Sequence, residues 1–227
     1  MNVTKHTKYI WQIDNFLPDD EIDYFLNAVG FYNPTVKADF RNDRRENDTY
    51  DLTDVAELDG IAWNWVRRAN QYYVSNNDFI FYNWEQDVLF SDNTVWRGQN
   101  ILRQYNESDS YDWHADQSPA NHAEFSYIIY LNDDFDGGET RFMNPRVSVK
   151  PTKGSVLCFP VDHYHIHKGV KVTNGTKKIL WNCVYRNEIK VVAEQPYLTA
   201  INAPRSSTRC IWSVSYTHLT LPTKRIV

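Results

Sequence analysis

Hydrophobic positions in this chain change their period part of the way along. Residues 9–17, YIWQIDNFL, read as a short strand leading into a helix. After Pro18, the carboxylates of Asp19, Asp20 and Glu21 suit the positive end of a helix dipole. Ile22, Phe25, Leu26 and Val29 then recur at helical spacing, and Gly30 reads as the stop. Residues 33–53 are polar, with the run RNDRREND, and are expected to form a solvated loop. Asp54 can cap a second helix through about Val74, where Val55, Leu58, Ala62, Trp65, Ala69 and Tyr72 make one apolar stripe. Such a stripe is first of all a core face. Beyond it the pattern is strand-like at Phe79–Trp84, Gly98–Tyr105, Glu124–Leu131, Val147–Lys150, Ser155–Phe159, Tyr164–His167 and Lys178–Tyr185. Two helices followed by about seven strands predict an α+β, mainly β, fold in which helices back a β-sandwich or barrel.

Length and composition narrow the class. A chain of 227 residues, 42% hydrophobic and 23% charged, suits one globular domain with a sizeable core. A net charge of −5 with no basic stripe argues against nucleic acid as a partner. No apolar run approaches the roughly 20 residues of a membrane span, and the N-terminus has no apolar signal-peptide core. Cys158, Cys183 and Cys210 are an odd number without motif spacing, as in a reducing compartment. A cytoplasmic protein is expected, which makes Asn2-Val-Thr and Asn106-Glu-Ser chance sequons. Residues 213–227 begin SVSYTHLTLPT, which resembles a translated sequencing adapter, so they are set aside as a non-native tail and His218 gets no role.

The candidate chemistry lies between Trp113 and Tyr185. His114-Ala115-Asp116 is an H-x-D pair, and on a strand residues i and i+2 share a face. With 7 His in the chain, composition alone yields about 0.6 such pairs, so the pair by itself means little. A second histidine and a following cation raise it. Two imidazoles and one carboxylate on one face of an ion leave adjacent positions open, an arrangement suited to non-haem iron(II) and oxygen. A bidentate 2-oxo acid fits two of those positions, and a cation is then needed for its far carboxylate. Lys177, ten residues after His167 at the start of an apolar strand, can supply it.

From Asn100 to Tyr185 the sequence resembles the prolyl 4-hydroxylase-like branch of the 2-oxoglutarate/iron(II) oxygenases. The pieces that carry the resemblance are ILRQYNESDSYDWHAD, YLNDDFDGGETRF, PTKGSVLCF and HKGVKVTNGTKKILWNCVY. It implies a double-stranded β-helix, or jelly roll, with His114, Asp116 and His167 as iron ligands and Lys177 paired to the distal carboxylate of 2-oxoglutarate. Tyr130, and with less support Tyr105, would donate hydroxyls to that cosubstrate. It implies hydroxylation of a C–H bond with succinate and CO2 as coproducts, and ascorbate as reductant. A peptidyl proline is the first substrate, and a free amino acid or other small molecule the second. The expected organisation is one oxygenase domain over 1–212, with helical support in 1–97, the jelly roll in about 98–187 and a tail in 188–212.

Two departures from the family pattern stand out. Lys171 occupies the place before Val172 where proline is usual, and His163, His165 and His167 would share one face if extended. Spacing to Val172, Gly175 and Lys177 selects His167 over His165; the other two are read as rim residues and His122 as solvated. Tyr111, Trp113 and Trp96 could form an aromatic rim or pack inside. Competing readings are weaker. The Asn132–Gly137 run imitates a calcium loop, but Met143 stands where a bidentate Glu is required, so Gly137 and Gly138 read as a turn. A nucleic-acid demethylase would carry arginines after the distal His, and a halogenase would lack Asp116. A non-catalytic jelly-roll binding or virion module remains the alternative class, and would have no reason to keep two His, one Asp and one Lys in register.

Overall fold

The computed structural model describes residues 1–32, 46–78, 95–116 and 123–186, all within the compact unit Met1–Lys190. Expectations for the strand at 79–84, for His122, for the Trp96 side chain and for the tail beyond 186 fall outside these residues.

The N-terminus forms a hairpin. Strands β1 (Asn2–Lys5) and β2 (Trp11–Asp14) pair antiparallel, Val3 opposite Ile13. Helix α1 (Asp19–Tyr32) follows, with Asp19, Asp20 and Glu21 in its first turn. Ile22 and Phe25 are buried, and Leu26 and Val29 pack partly against the same core. Gly30 does not stop this helix; the helical path continues to Tyr32. Within the stretch expected to be a solvated loop, residues 48–51 form β3 (Asp48–Asp51), in which Thr49 and Asp51 are buried. Helix α2 (Ala56–Ser75) begins after Val55, and no side chain makes a capping hydrogen bond, so Asp54 is not its cap. Its predicted stripe is buried at Leu58, Ala62, Trp65 and Ala69, and widens to Val66, Tyr73 and Val74. The helices lock at Glu21, which accepts from Trp65 Nε1 at 2.8 Å and pairs with Arg68 at 3.2 Å.

The rest is antiparallel β-structure. The strands are β4 (Val95–Arg97), β5 (Ile101–Tyr105), β6 (Tyr111–His114), β7 (Ala123–Tyr130), β8 (Asp136–Gly137), β9 (Thr140–Phe142), β10 (Val147–Val149), β11 (Val156–Pro160), β12 (His167–Gly169), β13 (Val172–Asn174) and β14 (Lys177–Arg186). The large sheet runs β1-β2-β11-β7-β14-β5-β3, with β4 also on β14. A smaller sheet runs β10-β9-β12-β6, and β13 pairs with β8. This is a jelly roll backed by two helices, as the sequence predicts.

Alternation along the large sheet sorts its side chains into two cores. Leu102, Phe125, Tyr127, Ile129, Val156, Cys158 and Leu180 pack with the helices. Their alternates Tyr105, Ile128, Tyr130, Leu157, Phe159 and Ile179 form a second core with Phe142 and Val149 of the smaller sheet. The first core fastens the helices to the sheet. The second surrounds the candidate chemistry.

Candidate active site

His114 ends β6 and His167 begins β12, and the two residues stand directly opposite each other in that antiparallel pair. Their ring centroids are 4.3 Å apart. Asp116 lies two residues beyond His114, just past the strand end. Its Oδ1 is 3.5 Å from His114 Nε2 and its Oδ2 is 3.8 Å from His167 Nε2. Among the described residues these three form a group whose candidate ligand atoms all lie within 4.8 Å of one another. The sequence places the H-x-D pair within a strand; the structure brings the two side chains together across the strand end instead.

Each candidate ligand group is oriented from behind. His114 Nδ1 bonds the Asp112 carbonyl at 2.7 Å, and His167 Nδ1 bonds the His165 carbonyl at 3.1 Å. Donation there fixes the Nδ1–H tautomer and leaves the Nε2 lone pairs facing Asp116. Asp116 Oδ2 accepts from Ser126 Oγ at 2.7 Å and from Trp181 Nε1 at 3.3 Å. Tyr111 lies flat on His114 at 3.6 Å, while Phe142 and Phe159 wall His167. Burial pushes His167 down to about 4, against the pull of Asp116, so its imidazole is neutral near pH 7. Burial works the other way on Asp116, but His167, His114 and Ser126 outweigh it and hold the carboxyl well below its ordinary value. An ionised carboxylate beside an imidazole with an open lone pair is a donor set for a divalent metal. Nitrogen and oxygen donors on one face match the ligation of non-haem iron(II).

Lys177, Ile179 and Trp181 alternate along one face of β14, so Lys177 projects on the same side as Trp181, which bonds Asp116. Lys177 is 3% exposed, and its ammonium donates to the Gly138 carbonyl at 2.6 Å and stands 5.4 and 5.5 Å from the ring centroids of Tyr105 and Tyr130. Burial pushes it down to about 7, partly offset by Glu139. A cation this deep calls for a carboxylate, and the far end of a dicarboxylate such as 2-oxoglutarate supplies one. Tyr130 hydroxyl is 2.8 Å from Thr140 Oγ1, and burial pushes its pKa up, so it stays protonated. Tyr105 lies opposite Lys177 in the β5–β14 pair.

The other histidines separate. Residues 161–166 are turn rather than strand, so His163, His165 and His167 do not share a face. His163 is exposed. His165 points away to Asp162, which it meets at 2.7 Å. Tyr111 is a stacking partner of His114, not a rim residue, and Trp113 is half-buried with the Lys168 ammonium 4.7 Å from its ring centroid. Gly137 and Gly138 take positive φ (75° and 68°), as the turn reading requires. Sequence reasoning missed Ser126, Trp181 and Arg103. For Arg103 a signal exists: a charged residue at an inward position of the apolar run ILRQY, two before Tyr105.

The family described as the 2OG-Fe(II) oxygenase superfamily matches residues 101–186. No curated protein matches in sequence. Among solved structures, a viral collagen prolyl hydroxylase of Paramecium Bursaria Chlorella virus-1, complexed with 2OG, aligns at TM-score 0.59 and 18% identity over 78% of this chain and 95% of its own. A prolyl-4-hydroxylase of Pseudomonas putida aligns at 0.59 and 17%, over 79% and 93%. A Trichoplax adhaerens prolyl hydroxylase, in complex with a peptide fragment of the hypoxia inducible factor oxygen degradation domain, aligns at 0.59 and 14%, over 79% and 84%. At these identities the likeness establishes the jelly-roll fold, while the family match falls on the segment that carries the His-Asp-His group. Residues 101–186, which carry the His-Asp-His group, are similar to the 2OG-Fe(II) oxygenase superfamily, and the protein is an oxygenase.

Proposed function

We propose that this oxygenase hydroxylates a C–H bond of a peptidyl proline, with iron(II) held by His114, Asp116 and His167 and 2-oxoglutarate anchored by Lys177. The observation that carries the reading is an imidazole–carboxylate–imidazole group together with, on the same face of β14 as Trp181, a buried ammonium that has no carboxylate in hydrogen-bonding range among the described residues. When bound, iron(II) and 2-oxoglutarate supply the oxidising chemistry: O2 and the 2-oxo acid give succinate, CO2 and one oxygen atom that becomes the substrate's hydroxyl.

The chain's own residues bind, orient and exclude water. Asp112 and His165 carbonyls aim the two imidazoles, and Ser126 and Trp181 aim the carboxylate. Lys177 charge-pairs with the distal carboxylate, and Tyr130 and Tyr105 donate hydroxyls along the cosubstrate. Phe142, Phe159 and Ile179 keep the surroundings dry. Support for a prolyl substrate is the likeness to prolyl hydroxylases. A free amino acid is the second substrate reading and uses the same site. Ascorbate would serve as the reductant that returns iron to the ferrous state.

The test is succinate formation by the full chain with iron(II), 2-oxoglutarate and ascorbate, with and without proline-rich peptides, against a His167→Ala control. Peptide-stimulated succinate that disappears in the control is the expected result. Succinate that is unaffected by the substitution would overturn the assignment of the site.

A further inference from the structure

Arg103 projects from β5 on the same face as Tyr105, opposite Ile179 of β14. It is 6% exposed, and its Nε has no hydrogen-bond partner. The guanidinium carbon lies 4.5 Å from the Trp181 ring centroid and 5.4 Å from that of Tyr111. Trp181 bonds Asp116 and Tyr111 stacks on His114, so this cation sits beside the His-Asp-His group, on a residue paired two positions along β14 from Lys177. Burial opposes its charge, but Tyr105, Tyr111 and Asp116 outweigh that and keep it charged.

Without metal, Asp116 is the nearby counter-charge. With iron(II) and 2-oxoglutarate in place, the two charges of the ion are met by Asp116 and the 2-oxo acid carboxylate, and Lys177 is met by the distal carboxylate. Glu139, near Lys177, has Arg141 at 3.7 Å. Among these groups Arg103 is then left as a buried cation in need of one negative charge, and an unmatched buried charge is costly. The guanidinium, with the Trp181 and Tyr111 rings beside it, is a planar fork, which suits a flat, singly charged carboxylate better than a doubly charged phosphate. We propose that Arg103 is a specificity-determining residue that binds a carboxylate of the substrate beside the C–H bond to be hydroxylated. This deepens, and rests on, the reading of the site as an iron(II)/2-oxoglutarate hydroxylase. The carboxylate can belong to a free amino acid, to the C-terminus of a peptide or to an acidic side chain next to the target residue.

The test uses the full chain loaded with iron(II) and 2-oxoglutarate under anaerobic conditions, and reads the visible charge-transfer band of the chelate, which shifts when a substrate displaces water from the metal. The probes are L-proline and L-prolinamide, a short peptide ending in proline and its C-terminal amide, and internal Pro-Glu and Pro-Gln peptides. In the wild type an acid should bind about tenfold or more tightly than its amide partner, the size of a lost charge-assisted hydrogen bond. The pair that shows the preference identifies the source of the carboxylate. R103Q should lose that preference while 2-oxoglutarate still forms the same band. R103K, which keeps charge but not the fork, should retain part of it and decides the matter if R103Q does not fold. No acid preference for any pair, a preference that survives in R103Q or is undiminished in R103K, or weakened 2-oxoglutarate binding in R103Q would each overturn the proposal, the last in favour of a cosubstrate role. Absence of any chelate band in the wild type would instead defeat the underlying oxygenase site.

Discussion

At Asp116 one carboxylate serves two sets of partners. Oδ1 faces His114, whereas Oδ2 faces His167 and is held by Ser126 and Trp181. Removing a group that orients a ligand costs 10- to 100-fold in metal affinity as an order of magnitude. Ser126→Ala should therefore weaken iron(II) or manganese(II) binding about tenfold or more by calorimetric titration, with circular dichroism unchanged; unchanged affinity would remove Ser126 from this role. Lys177 yields a pH prediction. Its ammonium is held down to about 7 by burial, and a bound carboxylate raises it again. Binding of 2-oxoglutarate should then be strongest below about pH 7, weaken as pH rises above it, and take up a proton there. Titrations in two buffers of different ionisation enthalpy read that uptake directly. Lys177→Ala should raise the 2-oxoglutarate KM about tenfold or more and abolish the pH trend, and an unchanged KM would contradict the assignment.

At the scale of elements, the turn between β8 and β9 supports Lys177. A Cβ on Gly138 would fall 2.8 Å from the Phe135 ring and 3.1 Å from Lys177 Cδ, at a φ of +68°. Gly138→Ala should cost about 1–3 kcal/mol of stability and weaken 2-oxoglutarate binding more than metal binding, measured by thermal melts and paired titrations. The helical side should behave oppositely. Phe25→Ala removes a fully buried ring packed on Trp65, which costs about 3–5 kcal/mol, yet metal affinity of the folded fraction should hold because the large sheet separates that core from the site.

The sequence made the same elements unequally legible. Long segments with a clear period, α1, α2, β7 and β14, were readable because several side chains in each repeat one choice of face. The meeting of His114, Asp116 and His167 and the inward place of Lys177 were readable from motif spacing. The short strands β8, β9, β12 and β13, at 2 or 3 residues each, carry too few positions to show a period. β3 was hidden in a charged stretch because pairing with β5, not apolar content, makes it a strand. Extending Tyr164–His167 into a strand failed because Asp162 accepts from the backbone of Tyr164 and His165 and closes a turn. Ser126 and Trp181 acquire meaning only once β7 and β14 bring them to Asp116, a contact no local pattern encodes.

For the whole molecule, the cost of the site should show in stability without metal. Burial holds His167 down to about 4 from an ordinary 6.5, so on acidification through that window the unfolded chain takes up a proton that the folded one refuses. Metal-free stability should therefore rise from pH 4 to 6.5, by up to about 3 kcal/mol from this group. Urea melts across that range check it, and a flat profile would contradict a buried neutral imidazole. A bound divalent ion favours the folded state and should raise Tm in proportion to the logarithm of its free concentration. The central claim is that one jelly-roll cavity holds iron(II) at His114, Asp116 and His167 together with 2-oxoglutarate at Lys177. Anaerobic addition of 2-oxoglutarate to the iron(II)-loaded full chain tests it most directly. A visible charge-transfer band that saturates at one equivalent, is absent in His167→Ala and needs far more 2-oxoglutarate in Lys177→Ala is the predicted result; no band in the wild type, or an identical band in His167→Ala, would contradict it.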